Sequence, residues 1–235
     1  MKNIFKTTST HFETKEGDKI LTPFGPSIFQ SQVDSNFTKA LIEEGRKLTL
    51  KDNDWNNQLA GHLKYGRSYH YKKEFVATAQ DYIGKYVFRY LQGITDQWGK
   101  RQVSQLLSIP TRETYGKYDK NKIVQGELKL ESLWINFSKK GDYNPPHTHS
   151  GVLSFVIFCD VPEEIFSVQP DSNTKHAGHI IFQHGEQITP LMGTDVFMKP
   201  YNNLMFIFPA KLNHYVPAYF VDMERISVSG NFIVV

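Results

Sequence analysis

The stretch from Asn144 to Phe158 reads NPPHTHSGVLSFVIF and contains the strongest structural signals of the chain. Its second half is an almost unbroken apolar run between Gly151 and Asp160, which is typical of a buried strand. The two prolines before the histidines disfavour a helix, so an extended segment is expected there. In an extended segment the side chains of His147 and His149 project to the same side and can reach one point.

Short strands are predicted on both sides of this stretch. Apolar residues alternate loosely from Leu128 to Phe137, and further short apolar segments follow between turn-forming residues. The predicted strands are 128–137, 152–158, 179–182, 195–198, 204–208, 214–217 and 225–234, and the predicted turns are 139–146, 170–173 and 200–203. Several short strands without long helices between them favour an antiparallel sandwich or barrel.

The first half of the chain has helical patterns instead. One helix is predicted from Asp34 to Leu48, with Asp34 or Ser35 as its N-cap. A second is predicted from Phe75 to Leu91, continuing weakly towards Leu107 and ending before Pro110. Helices followed by strands predict an α+β fold in which the helices brace one face of a sheet. We expect a single domain, 1–235, with a helix-rich cap over about 1–124 and a strand core over about 125–235.

Composition limits the class of protein. The 235 residues are 40% hydrophobic, enough for one packed core, and no apolar stretch reaches the roughly 18 residues of a membrane span. The start of the chain is too polar for a secretory signal, and one cysteine, Cys159, indicates a buried thiol in a reducing cytoplasm. A net charge of +3 is too small to indicate nucleic-acid binding, so the lysines at 117, 120 and 122 are interpreted as a solvated loop.

A third histidine and an arginine follow on later predicted strands. His214 begins one of them, and three protein ligands on one face leave the other positions of an octahedral metal open to substrate. Arg225 and Ser227 lie on one side of the last strand, where a guanidinium and a hydroxyl suit a terminal carboxylate. An isolated His-x-His or a lone arginine is weak evidence, but the combination is specific.

Together these features resemble the 2-oxoglutarate/iron(II)-dependent oxygenase superfamily, in particular its branch from bacteria and marine viruses. The resemblance covers roughly residues 125–235 and is carried by residues 134–136, 141–144, 146–151, 153–154, 208–209, 214 and 225–227. It implies a double-stranded β-helix, or jelly roll, with Fe(II) held between the two sheets. It also implies 2-oxoglutarate as co-substrate and dioxygen as oxidant.

The resemblance assigns roles to individual residues. His147 would be the first metal ligand and His214 the distal one. Arg225 and Ser227 would hold the distal carboxylate of 2-oxoglutarate, and Asn136 is expected to face the same pocket. Tyr143 is a weaker candidate for that pocket.

One position departs from the family pattern, because His149 stands where the superfamily usually has aspartate or glutamate. Three alternatives remain open. His147, His149 and His214 form a three-histidine site; or His149 is the first ligand and Gly151 occupies the carboxylate position, as in halogenating relatives. In the third alternative a carboxylate from elsewhere, such as Asp160 or Asp195, completes the set.

The remaining candidates have ordinary interpretations. His176, His179 and His184 fall in a polar, hairpin-like stretch, and the other three histidines (11, 62 and 70) are interpreted as surface or hydrogen-bonded residues. Trp134 and Phe208 are expected to pack the barrel, and residues 65–71 are candidates for a substrate rim.

The resemblance implies a dioxygenase, and hydroxylation of an amino acid or peptidyl side chain is the expected reaction. Two other classes remain open: a cupin-like metal-binding barrel without 2-oxoglutarate chemistry, and a non-catalytic jelly-roll binding module. Arg225 discriminates against the cupin-like class, because such enzymes need no clamp for a dicarboxylate.

Overall fold

A computed structural model describes residues 11–13, 17–21, 25–109, 124–166, 176–186 and 193–235. Its helices are α1 (Ser35–Gly45), α2 (Leu50–Asn53), α3 (Lys73–Trp98) and α4 (Lys100–Leu106). The strands of the first half are β1 (His11–Glu13), β2 (Lys19–Leu21), β3 (Ile28–Gln32), β4 (Arg67–His70) and β5 (Ser108–Ile109). Those of the second half are β6 (Val124–Gln125), β7 (Leu128–Ser138), β8 (Asn144–His147), β9 (Leu153–Asp160), β10 (Ile180–Gln183), β11 (Asp195–Met198), β12 (Leu204–Pro209), β13 (Asn213–Val216) and β14 (Arg225–Val234).

Two antiparallel sheets face each other. The large sheet has eight strands in the order β1-β2-β3-β12-β9-β14-β7-β4, and the small sheet has four in the order β11-β10-β13-β8. The eight strands β7 to β14 divide between the two sheets, so that the chain crosses from one sheet to the other repeatedly. This arrangement is a jelly roll, as the sequence predicted.

The first half of the chain also contributes strands, which the sequence analysis did not predict. β3 pairs with β12 at one side of the large sheet, and β4 pairs with β7 at the other. These strands are short and lack strict alternation, so their sequence does not stand out from loop sequence. The N-terminal region therefore extends the large sheet as well as covering it.

The predicted helices form and brace the large sheet. Asp34 caps α1 by accepting a hydrogen bond from the backbone N–H of Asn36 at 2.7 Å, as its side-chain type favours. Leu41 of α1 and Ile83 of α3 are fully buried in one apolar cluster with Ile135 of β7. The second predicted helix is α3, which ends at Trp98 before a break at Gly99, whose φ is 87°, and its predicted weaker continuation is α4, which ends at Leu106. The predicted end at Pro110 lies outside the described residues, as do the lysines at 117, 120 and 122 and the turn at 170–173.

Two apolar clusters lie on opposite faces of the large sheet. One fills the space beneath the helices, and the other fills the closed end of the sandwich between the two sheets, around Phe182, Phe206 and Tyr219. Cys159 belongs to the first cluster and is buried, as expected. None of the helices in the described ranges is long and apolar enough to cross a membrane.

Candidate metal centre and its cavity

Three histidines converge between the sheets. His147 at the end of β8 lies opposite His214 of β13 in the strand register, and His149 follows two residues after His147. One ligand nitrogen from each of the three rings lies within 4.8 Å of the other two. The ring centroids are 4.3 Å apart for His147 and His214, and 4.9 Å apart for each of the other two pairs.

Backbone carbonyls fix the tautomers of two of these rings. The Nδ1 of His147 lies 2.7 Å from the carbonyl oxygen of Pro145, and the Nδ1 of His214 lies 3.0 Å from that of Leu212. A carbonyl only accepts, so each Nδ1 carries the proton and donates, and each Nε2 keeps its lone pair for a metal. The Nε2 atoms of His149 and His214 face each other at 3.1 Å.

Burial keeps the three rings in the uncharged form that binds metals. It lowers the pKa of His149 to about 4 and that of His214 to about 3. Burial also lowers the pKa of His147 below the ordinary value. Neutral imidazoles with converging lone pairs are a fitting donor set for a first-row metal such as Fe(II).

The backbone around His149 is held in place by the neighbouring loop. Its N–H donates to the carbonyl of Ala210 at 2.8 Å, and the N–H of Ala210 donates to the carbonyl of Val152 at 3.0 Å. Gly151 has a φ of 81°, and a Cβ there would lie 2.5 Å from the carbonyl oxygen of Phe232. This close approach explains the glycine without a ligand role.

The residues that the two other ligand alternatives require do not line the cavity at the histidines. Gly151 is not among the residues that line the cavity at the histidines, and neither are Asp160 and Asp195. Within the described residues, the one group of three potential metal ligands consists of His147, His149 and His214.

A cavity of about 480 Å³ extends from the histidines into the space between the sheets, and Arg225 lines it. This guanidinium is buried, with 5% of the residue exposed, and one of its terminal nitrogens donates to the carbonyl of Gly178 at 3.0 Å. Its Nε has no hydrogen-bond partner, and no ion pair among the described residues includes Arg225. Burial lowers the pKa of this group. A buried cation without a carboxylate is costly, which indicates an anionic ligand.

Ser227 and Asn136 line the same cavity and lie opposite each other on β14 and β7. The hydroxyl of Ser68, on β4, donates to the side-chain oxygen of Asn136 at 2.5 Å. That bond directs the amide nitrogen of Asn136, a donor, to the remaining space. All three residues expected to bind the co-substrate therefore face one cavity with the three histidines.

The other predictions have mixed outcomes. Trp134 and Phe208 are buried as expected, and their rings also flank the cluster, 5.8 Å from His149 and 4.8 Å from His214 respectively. Tyr143 does not line the cavity: it is exposed and stacks on His62 instead, with ring centroids 5.3 Å apart. The histidines at 176, 179 and 184 neither line the cavity nor belong to the group of three potential metal ligands.

One wall of the cavity comes from residues that the sequence analysis missed. Trp55 and residues 58–61 line it, together with His70, whose ring lies 4.6 Å from that of Trp55. Two isolated bridges hold this segment, Asp54 to Tyr69 and His62 to Tyr143. No local pattern marks the segment, because its role depends on where β4 and β8 end in space. Part of the predicted rim, His70, does lie at the cavity, whereas Tyr65 does not.

Residues 132–231 match the family model described as "Putative 2OG-Fe(II) oxygenase". The matched range contains the histidine cluster and Arg225. No curated protein matches the chain.

Solved structures with similar folds include three oxygenases. An oxidoreductase of the 2OG-Fe(II) oxygenase family from Burkholderia pseudomallei is 14% identical, with a TM-score of 0.35 over 47% of each chain, so this chain spans about half of its length. A prolyl-4-hydroxylase from Pseudomonas putida is 12% identical, with a TM-score of 0.47 over 88% of this chain and 91% of the other. The viral collagen prolyl hydroxylase of Paramecium Bursaria Chlorella virus-1 is 12% identical, with a TM-score of 0.48 over 87% and 94%.

Proposed function

We propose that the protein is a 2-oxoglutarate- and Fe(II)-dependent dioxygenase, because residues 132–231 match the family model of 2OG-Fe(II) oxygenases and contain the histidine cluster and Arg225. Its proposed reaction is hydroxylation of an amino acid or peptidyl side chain. One observation carries the proposal: three neutral histidines line the same cavity as a buried arginine that has no carboxylate partner among the described residues.

His147, His149 and His214 would hold the iron through nitrogen atoms. When bound, Fe(II) supplies the binding and reduction of dioxygen, which the side chains of the protein cannot perform. Three neutral ligands leave both positive charges of Fe(II) uncompensated by the protein. This charge favours a dianionic co-substrate next to the metal.

Arg225 would bind the far carboxylate of 2-oxoglutarate. Its guanidinium is already buried and orientated by the carbonyl of Gly178, so little conformational entropy is lost when a carboxylate arrives. The hydroxyl of Ser227 and the amide nitrogen of Asn136 add hydrogen-bond donors on the same wall. These contacts orient the co-substrate and replace water that would otherwise solvate it.

The overall reaction converts substrate R–H, 2-oxoglutarate and dioxygen into R–OH, succinate and carbon dioxide. One oxygen atom enters the new carboxylate of succinate and the other enters the product. The described walls contribute by excluding water from this space: Trp134 and Phe208 flank the histidines, and the segment containing Trp55 covers one side.

The decisive experiment is an anaerobic titration with Fe(II) and 2-oxoglutarate, followed by visible absorption. A weak metal-to-ligand charge-transfer band is expected, because the keto acid chelates the metal. His214→Ala should abolish the band, Arg225→Ala should shift its formation to much higher 2-oxoglutarate concentrations, and His176→Ala, outside the cavity, should leave both unchanged.

Two outcomes would contradict the proposal. If iron binds but 2-oxoglutarate produces no band, the cupin-like class is favoured instead. If neither binds to folded protein, the jelly roll is a non-catalytic module.

A further inference from the structure

The pairing of strand β7 with β14 is irregular at one place beside the cavity. Asn231 of β14 pairs with Ser132, and the next residue, Phe232, pairs with Leu130. Glu131 is therefore an extra residue with no partner in the register. This two-against-one pairing is a β-bulge, a feature that re-aims side chains next to functional sites.

The bulge brings a carboxylate to the cavity. Leu130 and Leu133 are both buried in the apolar cluster under the helices, so two residues lie between successive contacts with that cluster instead of one. As a result, Glu131 and Ser132 both line the cavity, although neighbouring residues of a regular strand face opposite sides. Without the bulge, one of these two polar side chains would point into the apolar cluster.

Glu131 is the single acidic residue of the described cavity lining, and it is far from the arginine. Arg225 of β14 pairs with Ser138 of β7, whereas Asn231 of β14 pairs with Ser132, the neighbour of Glu131. Six residues of extended strand separate Arg225 from Asn231, roughly 20 Å. The acidic and the basic residue of the described cavity lining are therefore well separated along the strands.

The carboxylate of Glu131 is available to a ligand. The residue is exposed, and no ion pair within the described ranges includes it. Trp55 and Trp134 line the same cavity, and the ring of His70 lies 4.6 Å from that of Trp55. Burial lowers the pKa of His70, so this ring adds no positive charge at neutral pH. A carboxylate together with aromatic faces is a fitting environment for an organic cation.

We infer that the substrate side chain is a cation, an amino or guanidinium group of the lysine or arginine type, and that Glu131 binds its charge. This inference rests on the proposed function and adds the substrate class to it. Arg225 would be occupied by the dicarboxylate co-substrate, which leaves Glu131 as the charge that selects the substrate.

The test uses blocked pentapeptides with lysine, arginine, norleucine, citrulline or glutamate at the central position. Peptide-dependent succinate formation and peptide hydroxylation are measured for the wild type, Glu131→Gln and the control Glu127→Gln, an exposed glutamate outside the cavity lining. Lysine or arginine peptides should be hydroxylated in preference to their neutral counterparts. Glu131→Gln should raise KM for the cationic peptides about tenfold with kcat nearly unchanged, whereas Glu127→Gln should not.

Equal turnover of cationic and neutral peptides, no turnover of any cationic peptide, or an unchanged KM in Glu131→Gln would each overturn the inference. The charge-transfer band separates this failure from failure of the proposed function. If the band forms with wild type and Glu131→Gln alike while the cationic preference is missing, the oxygenase assignment stands and only the substrate class is wrong.

Discussion

The two faces of the large sheet have opposite characters, although the same strands form both. On β14, Ile226, Val228 and Phe232 face the helices and are almost fully buried. The alternate residues of the same strand are polar and face the cavity: Arg225, Ser227, Ser229 and Asn231. One face of the large sheet is covered by apolar packing. The other carries hydrogen-bonding groups and a cation, and it faces the candidate metal ligands His147 and His214 of the small sheet.

This division indicates that stability and chemistry are largely separable in this fold. The helix-covered face stabilises the sheet through apolar burial, which depends on area and packing. The cavity face carries buried polar groups, among them the guanidinium of Arg225, whose charge no carboxylate of the described residues balances. Substitutions on the two faces should therefore differ in what they change.

The largest expected effect is a dependence of metal-free stability on pH, and it should come from the cavity face. His149 and His214 have folded pKa values of about 4 and about 3, below the value of 6.5 for an unperturbed histidine. Below pH 6.5 the unfolded chain binds more protons than the folded chain, so stability falls as pH falls. The full slope of about 1.4 kcal/mol per pH unit applies only well below pH 6.5, so the loss between pH 6.5 and 5 is about 3 kcal/mol for these two histidines together, and the lowered pKa of His147 adds to it.

Urea unfolding with a chelator present, at pH values from 7.5 to 5, measures this effect. His214→Gln should remove about a third of the slope that the three histidines produce together. Tyr90→Phe, on the helix face, should leave the slope unchanged, since burial raises the pKa of Tyr90 further from the acid range. A slope that is the same in all three proteins would contradict the assignment.

The next effect concerns packing on the helix face. Ile135 is fully buried, and its side chain lies close to Gly45 of α1. Ile135→Ala should lower the free energy of unfolding by about 3 kcal/mol, because it removes buried methyl groups and leaves a cavity. The charge-transfer band of the folded variant should still form at wild-type concentrations of 2-oxoglutarate.

The matched change on the other face is Ser229→Ala, which should alter the free energy of unfolding by less than about 0.5 kcal/mol. If Ile135→Ala abolished co-substrate binding while still folded, the two faces would be coupled more strongly than their contacts indicate.

A smaller effect on stability than that of Ile135→Ala is expected for Arg225→Met. The substitution removes a buried guanidinium whose Nε has no partner, and methionine fills similar space. The free energy of unfolding without ligands should change by no more than about 1 kcal/mol, with an increase favoured. The additional shift in Tm that 2-oxoglutarate produces in the presence of Fe(II) should be largely lost, whereas the shift produced by Fe(II) alone should remain. A large destabilisation of the ligand-free variant would show instead that Arg225 is a structural residue.

Much of the core could be predicted from the sequence because its signals are local. The apolar run into β9 and the capped helix α1 follow from periodicity and side-chain type. The two-residue spacing of His147 and His149 places both rings on one side of an extended segment, and they do lie together. Placing His214 beside them relied on the family resemblance, because no local pattern joins residues so distant in the chain.

The amino-acid sequence contains a local signal for the bulge at Glu131, although no bulge was predicted from it. Leu130 and Leu133 are three apart, whereas Leu133, Ile135 and Phe137 are two apart, so the alternation of β7 skips one residue. A break of that kind in a strand predicts a bulge. The wall around Trp55 had no such signal, because its position depends on the edges of two sheets.

The sequence by itself determined the helices over one face, the short strands of the second half, and candidate residues for a metal and a dicarboxylate site. The helices and strands follow from periodicity, turn residues and side-chain type, which act over a few residues, whereas the jelly roll and the roles of the candidate site residues were implied by the family resemblance. The tertiary structure alone decided that the three histidines meet, that Arg225 is buried with no carboxylate partner in the described part of the chain, and that Glu131 and Trp55 share the same cavity. Those properties depend on strand pairing between distant segments, and pairing register is set by the packing of the whole sheet.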